Sequence, residues 1–183
     1  MVQLINDLFG IKPKVRERRK YSTINIEINS KLISKFLISL GFPNGEKKNK
    51  LRVPNWIIRN KEYATAFLRG LVDTDGCLFF AKRGTYRLNT YPVIEIKSHD
   101  PRFINDLNKI VKSLNFSLYK GKDKIQLNGK KNLKKWLNEI GFKNLNNLSR
   151  YLVWKKFKYC PPKTNLMERL RMLSSGGRTR LCR

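Results

Sequence analysis

A partial internal duplication constrains this chain more than any other feature. Ile5-Asn6-Asp7-Leu8 recurs as Ile104-Asn105-Asp106-Leu107, and Phe36-Leu37 ahead of Gly41-Phe42 recurs as Trp136-Leu137 ahead of Gly141-Phe142. Between these marks each copy has a basic segment and then a strand, 24–29 in the first and 124–128 in the second. A helix follows in both, over 30–40 and 130–140. Common residues match by chance, but a shared order of elements favours true duplication. The copies are unequal. Ahead of Ile104 the sequence predicts a helix from about Glu62, an Asp-Thr-Asp-Gly turn and two strands; ahead of Ile5 there are four residues. The first copy is therefore expected to lack its own helix, turn and strands.

The segment found only in the second copy carries the chemistry. Phe67-Leu68-Arg69-Gly70-Leu71-Val72-Asp73-Thr74-Asp75-Gly76 begins as a helix and ends in two aspartates and a glycine. Carbonyls at a helix C-terminus are partly negative, so a carboxylate there is disfavoured by about 0.3–1 kcal/mol. Two of them invite a cation. Oxygen ligands at a turn suit Mg²⁺, which takes one or two carboxylates and fills its shell with water and phosphate oxygens. The rest of the chain is very basic, with 40 Lys+Arg against 13 Asp+Glu and a formal charge of +27. Such charge repels itself in a compact state and calls for a polyanionic partner. A metal-binding carboxylate in a cationic protein points to cleavage of a nucleic-acid backbone. The plainer readings are a ribosomal protein, a soluble basic surface, or a capped and solvated helix end.

Other classes are excluded by composition. No apolar stretch approaches the roughly 20 residues of a membrane span, and the first residues have neither a basic n-region nor a cleavage site. Cys77, Cys160 and Cys182 are scattered and odd in number, and His99 is alone. They form neither a disulfide framework nor a zinc pattern. A cytoplasmic, nucleoid-associated setting is expected.

The remaining elements read as follows. A short helix covers 2–9, and Pro13 stops it. Residues 14–20 form a basic arm. Ile24, Ile26 and Ile28 occupy one face of a half-buried strand. Asn60 caps a helix whose apolar side is Ala64, Phe67, Leu68, Leu71 and Val72. Gly70 costs about 1 kcal/mol inside a helix, which close approach of another helix would offset. Strands follow at 77–81 and 93–97, then helices at 103–114, 147–157 and 165–173. The chain divides into a truncated repeat over 1–59, a complete one over 60–173 and a disordered basic tail over 174–183.

At this point the residues carry a resemblance. Leu68-Arg69-Gly70-Leu71-Val72-Asp73-Thr74-Asp75-Gly76 resembles the motif of LAGLIDADG homing endonucleases. Its context is similar too: a strand pair after it, Gly41-Phe42-Pro43-Asn44-Gly45-Glu46-Lys47 before it, and Trp154-Lys155-Lys156-Phe157 with Cys160-Pro161-Pro162 beyond. The run from about Leu4 to Leu173 is similar to two-motif, single-chain members of archaeal introns and inteins, with the first motif missing.

The resemblance implies an α/β (α+β) fold with antiparallel saddle sheets lying on the DNA major groove. Two motif helices pack through small residues such as Gly70, with Leu71 as a further packing position. It implies that Asp75, with Gly76, holds Mg²⁺ or Mn²⁺ at the scissile phosphate, and that a lysine assists in each half. Lys47 fits that lysine in the first half. In the second half Asn146 stands where related proteins have lysine, and Lys143 is the substitute. Asp73, one residue further inside, has a structural or secondary role. Lys82, Arg83, Arg87, Asn89, Glu95, Lys97, Lys124, Gln126 and Asn128 are the expected DNA contacts, on alternate strand positions whose side chains suit guanine and adenine edges or phosphates. The implied activity is site-specific, metal-dependent cleavage of double-stranded DNA. The open alternatives are an intron maturase, binding intron RNA, and a catalytically dead DNA-binding remnant. Lacking one motif, the chain is expected to pair with a second copy or a separate N-terminal fragment through an exposed stripe of Phe67, Leu68 and Leu71.

Overall fold

The computed structural model describes residues 2–18, 23–45, 51–85 and 88–175. It divides into two compact units, Met1–Lys47 and Lys48–Arg183. The boundary lies upstream of the expected 59/60. The backbone after residue 50 is bonded into the second unit: the Leu51 N–H donates to Asp100 Oδ2 at 3.1 Å and the Val53 N–H to Asp106 Oδ2 at 3.3 Å. The expected tail beyond Ser175 lies outside the described residues.

The first unit contains α1 (Val2–Phe9), β1 (Lys14–Arg18), β2 (Thr23–Glu27) and α2 (Lys31–Ser39). β1 and β2 pair antiparallel, Val15 opposite Ile26. Ser30 caps α2, its hydroxyl accepting from the Ile33 N–H. The half-buried reading of the strand at 24–28 does not hold. Ile24 is 65% exposed, and Phe36 on α2 is 52% exposed. Neither helix has a buried residue.

The second unit holds α3 (Asn55–Arg59), α4 (Lys61–Thr74), β3 (Cys77–Ala81), β4 (Tyr91–Lys97), α5 (Pro101–Ser113), β5 (Tyr119–Lys120), β6 (Lys124–Asn128), α6 (Gly129–Glu139), α7 (Leu145–Phe157) and α8 (Leu166–Ser174). Its four strands form an antiparallel sheet in the order β3-β4-β6-β5. The fold is mixed α/β with antiparallel sheets, as the sequence predicts. The helix–strand–strand–helix order α1-β1-β2-α2 is repeated by α5-β5-β6-α6, and β5 pairs with β6 as β1 does with β2. The duplication is thus visible as structure.

What differs is cover. α6 packs on β4 and β6, α5 on β6, and α4 on β4. Trp136, the counterpart of Phe36, is fully buried, as are Ile125 and Leu127 on β6. Leu78, Ile94, Ile96, Ile104, Leu107 and Ile110 join them. Burying a side chain of this size is worth about 1.5–3 kcal/mol, so the core of this molecule lies between one sheet face and α4–α7.

One clip ties the start of this unit to α5. Asp106, 1% exposed, accepts from Arg52 Nε at 2.6 Å and lies 3.7 Å from Lys109 Nζ. Burial pushes the Asp106 carboxyl up, but the hydrogen bonds from Arg52 and Val53 and the charges of Arg52 and Lys109 outweigh it, leaving it below the ordinary carboxylate value. A lowered carboxylate stabilises the fold above its unfolded pKa of about 3.9, and that stability disappears as pH falls through the lower folded value. Asp106→Ala is expected to cost about 1.5–3 kcal/mol at pH 7. Urea melts of the two proteins should converge below about pH 4. A gap independent of pH would show that the clip is not electrostatic.

Candidate nucleic-acid interface and carboxylate turn

The motif helix α4 begins where Asn60 Oδ1 accepts from the Glu62 and Tyr63 N–H groups. Ala64, Leu68 and Val72 are buried, at i, i+4 and i+8. The stripe expected to be exposed is therefore covered at Leu68, while Phe67 and Leu71 are half-buried. The open face of the helix carries Tyr63, Ala66, Gly70 and Thr74. A Cβ built on Gly70 would meet nothing within 4 Å. The close helix contact expected at Gly70 is thus not made among the described residues.

The helix ends in a turn held from outside. Four hydrogen bonds come from the start of α7 and the loop before it. The Lys143 N–H donates to Asp73 Oδ2 at 2.8 Å, and Asn144 Nδ2 donates to the Asp73 carbonyl at 2.6 Å. Buried Asn147 donates from Nδ2 to the Val72 carbonyl at 3.1 Å and accepts at Oδ1 from the Leu78 N–H at 3.0 Å. The last carbonyls of α4, orphaned in any helix, are satisfied by these amides. Asp73 is spent on this lock, though its Oδ1 is buried without a partner. The residue acts in the framework of the turn.

Asp75 is left free. It caps α4, its N–H bonded to the Leu71 carbonyl at 2.9 Å. Its side chain is exposed, with no hydrogen bond or ion pair among the described residues. Gly76 is fixed by sterics: a Cβ there would lie 2.8 Å from the Val72 Cα and 3.0 Å from the Glu95 carbonyl oxygen. Both are backbone atoms that cannot swing away. Gly76→Ala is expected to destabilise by about 1–3 kcal/mol in chemical denaturation, as overpacking does. A neutral outcome would mean that the turn gives way easily.

Gly76 abuts β4 at the Glu95 carbonyl, so the turn that carries Asp75 lies against the sheet. The register aligns Cys77, Glu95, Gln126 and Tyr119 in one row across the four strands, and Lys97 with Lys124 in the next. Residues of opposite parity, such as Leu78, Phe80, Ile125 and Leu127, are buried. The expected contacts Glu95, Lys97, Lys124, Gln126 and Asn128 therefore share the open face. Glu95 is only 8% exposed and organises the others. It accepts from Gln126 Nε2 at 2.6 Å and pairs with Lys97 at 3.3 Å and Lys124 at 3.6 Å. Asn89 is turned inward, donating to the Phe80 carbonyl at 2.7 Å. Lys82 and Arg83 are exposed beyond β3, the Arg83 guanidinium lying 4.4 Å from the Tyr91 ring centre. Lys143 is exposed next to the turn it holds. Lys47 and Arg87 lie outside the described residues.

Sequence reasoning missed the two asparagines that hold the turn, Asn144 and Asn147. The sign of them is the Asn-rich run 144–147, at the start of the helix expected over 147–157. It also missed α3, β5 and the arginines of α7 and α8.

The site is thus an antiparallel sheet whose open face carries Lys97, Lys124 and Gln126, with the exposed Asp75 carboxylate at the end of α4. Residues 62–141 match the family model described as a LAGLIDADG-like domain. The crystal structure of a homing endonuclease, I-TnaI, is similar at 21% identity with a TM-score of 0.35, over 69% of this chain and 80% of that chain. No protein of curated function matches. Among the described residues, no helix is long and apolar enough to cross a membrane.

Proposed function

We propose that this chain supplies one half of a site-specific, divalent-metal-dependent endonuclease acting on double-stranded DNA, in the setting of intron or intein homing. The observation that carries the reading is the exposed carboxylate of Asp75, without a partner among the described residues, at the end of a locked turn.

Among the described residues, no three His, Cys, Asp or Glu side chains gather to hold a metal. Asp73 is occupied by the Lys143 N–H. The donor set therefore suits a cation shared with a DNA phosphate, since Mg²⁺ accepts one carboxylate when phosphate oxygens and waters complete its shell. Asp75 would hold Mg²⁺ or Mn²⁺ there. When bound, such a metal activates water and stabilises the leaving oxygen. Lys143 brings positive charge to the same edge. Asn144 and Asn147 fix the backbone that aims Asp75, and Glu95 holds Gln126, Lys97 and Lys124 in place for groove and phosphate contacts.

The second half of the site comes from another polypeptide segment with an α4-type helix and hairpin. The open Gly70 face supports this, and so does the exposure of Ile24 and Phe36, whose counterparts in the second unit are covered. The RNA-binding and catalytically dead readings use the same basic surface, but neither gives a reason for a free Asp75.

A selection for cleaved duplexes from a randomised library tests the proposal, run with Mg²⁺ and a fragment carrying a second motif helix. Recovery of one long, double-strand-cut target is expected. Cleavage that survives chelation of the metal, or no enrichment with any partner helix, would overturn it.

A further inference from the structure

At the outer edge of the sheet, a pocket of about 210 Å³ opens between β3 and the loop over 158–164. Its lining includes Phe79, Asn89, Arg150, Cys160, Lys163 and Thr164. It is smaller than the roughly 300–1,000 Å³ that drug-sized ligands occupy, so it suits a small group. Phe79, in register with Val93 on the open face, and Phe80, on the covered face, both line it, so the pocket sits at the edge strand β3.

Two guanidiniums without acids stand at this place. Arg169 is 1% exposed and is held only by neutral acceptors: Ser149 Oγ at 2.9 Å, the Thr164 carbonyl and Asn146 Oδ1. Burial lowers its pKa, and the neighbouring Arg150 charge lowers it further. Arg150 spends one N–H on the Leu78 carbonyl at 2.9 Å, of the five its guanidinium offers. Among the described residues no carboxylate forms an ion pair with either arginine. Buried charge is costly unless it is paired. An anion in the pocket would partner Arg150, which lines it, while Arg169 lies outside the lining. Lys163, exposed on the rim, holds a left-handed backbone with φ 59°, a conformation costing a non-glycine residue about 1 kcal/mol.

We infer that this pocket is a phosphate-binding site, with Arg150 as the recognising fork and Lys163 as the second cation. The fork geometry of a guanidinium matches two phosphate oxygens. Arg169 stands behind it as fixed positive charge, and Asn89 and Thr164 line the wall. The phosphate belongs either to a DNA strand leaving the sheet past β3, which rests on the proposed function, or to a free anion, which does not.

The full chain separates these sources. Inorganic phosphate is titrated while the melting temperature and tryptophan emission are followed; Trp154 stacks on Phe80 at 5.3 Å, beside the pocket. Duplex affinity is measured in parallel across salt concentrations. Lys163→Ala and Arg150→Lys are compared with the parent, the second retaining the charge but not the fork. For a free-anion site, phosphate raises the melting temperature by mass action, and Arg150→Lys weakens its binding about tenfold or more. For a DNA phosphate, free phosphate has little effect, but Lys163→Ala lowers the slope of log affinity against log salt by about 0.9. The inference fails if phosphate acts equally on parent and variants, or if neither readout changes. Absence of any duplex binding would reject the proposed function and leave the phosphate titration to decide this site alone.

Discussion

Asp75→Asn, assayed with a partner half present, lowers DNA cleavage by about 10³-fold or more, exceeding the ~10²–10³ that loss of a single stabilising donor costs. Duplex affinity stays the same or tightens slightly, since a negative charge facing a polyanion has gone. Stability should rise, by a few tenths to about 1 kcal/mol, because a carboxylate at a helix C-terminus opposes the dipole. Loss of activity with a gain in stability is the signature of a residue kept for chemistry. Asp73→Asn is the contrast. Asp73 Oδ2 accepts from the Lys143 N–H, so that variant is expected to lose stability along with activity. Single-turnover cleavage and chemical denaturation on both variants check the pair. Undiminished cleavage by Asp75→Asn, or destabilisation by it, would return Asp75 to the status of an ordinary helix cap.

Duplex binding should be lost steeply with salt. Each phosphate neutralised by Lys or Arg releases condensed counterions, and six to ten such contacts cost about 10³–10⁵ in affinity between 50 and 200 mM salt. The open face has the charge for this, in Lys97 and Lys124 on the sheet and Lys82 and Arg83 beyond β3. Glu95 tempers it. Glu95→Gln frees both lysines from their ion pairs, so it should tighten non-specific binding and steepen the salt slope while weakening discrimination at the base pair that Gln126 faces. Fluorescence anisotropy at several salt concentrations, with cognate and scrambled duplexes, measures both. A flat response would mean that the charge of +27 serves some partner other than DNA.

The parts legible in the sequence are those governed by local rules. Asn60 was readable as a helix cap because a short polar acceptor ahead of an apolar stripe satisfies free N–H groups. Alternation on β6 announced one covered and one open face. The duplication was readable from the order of its elements, and Asp73-Thr74-Asp75-Gly76 marked the chemistry.

Tertiary structure decided which of two similar aspartates is free. Asp73 and Asp75 differ by two residues at a helix end, and nothing local distinguishes them. A loop 70 residues away in sequence engages one and leaves the other in solvent. It decided likewise that Ile24 and Phe36 stand open while their counterparts are buried, for the apolar pattern states only that a face needs cover. Arg150 and Arg169 gave no signal at all, because a basic residue in a basic chain shows its burial only when the helices around it have packed. The sequence by itself determined most of the elements, the repeat and the place of the aspartate motif. Which face is covered, which carboxylate is spent and which charge lacks a partner depend on contacts between distant segments, and only the folded chain contains them.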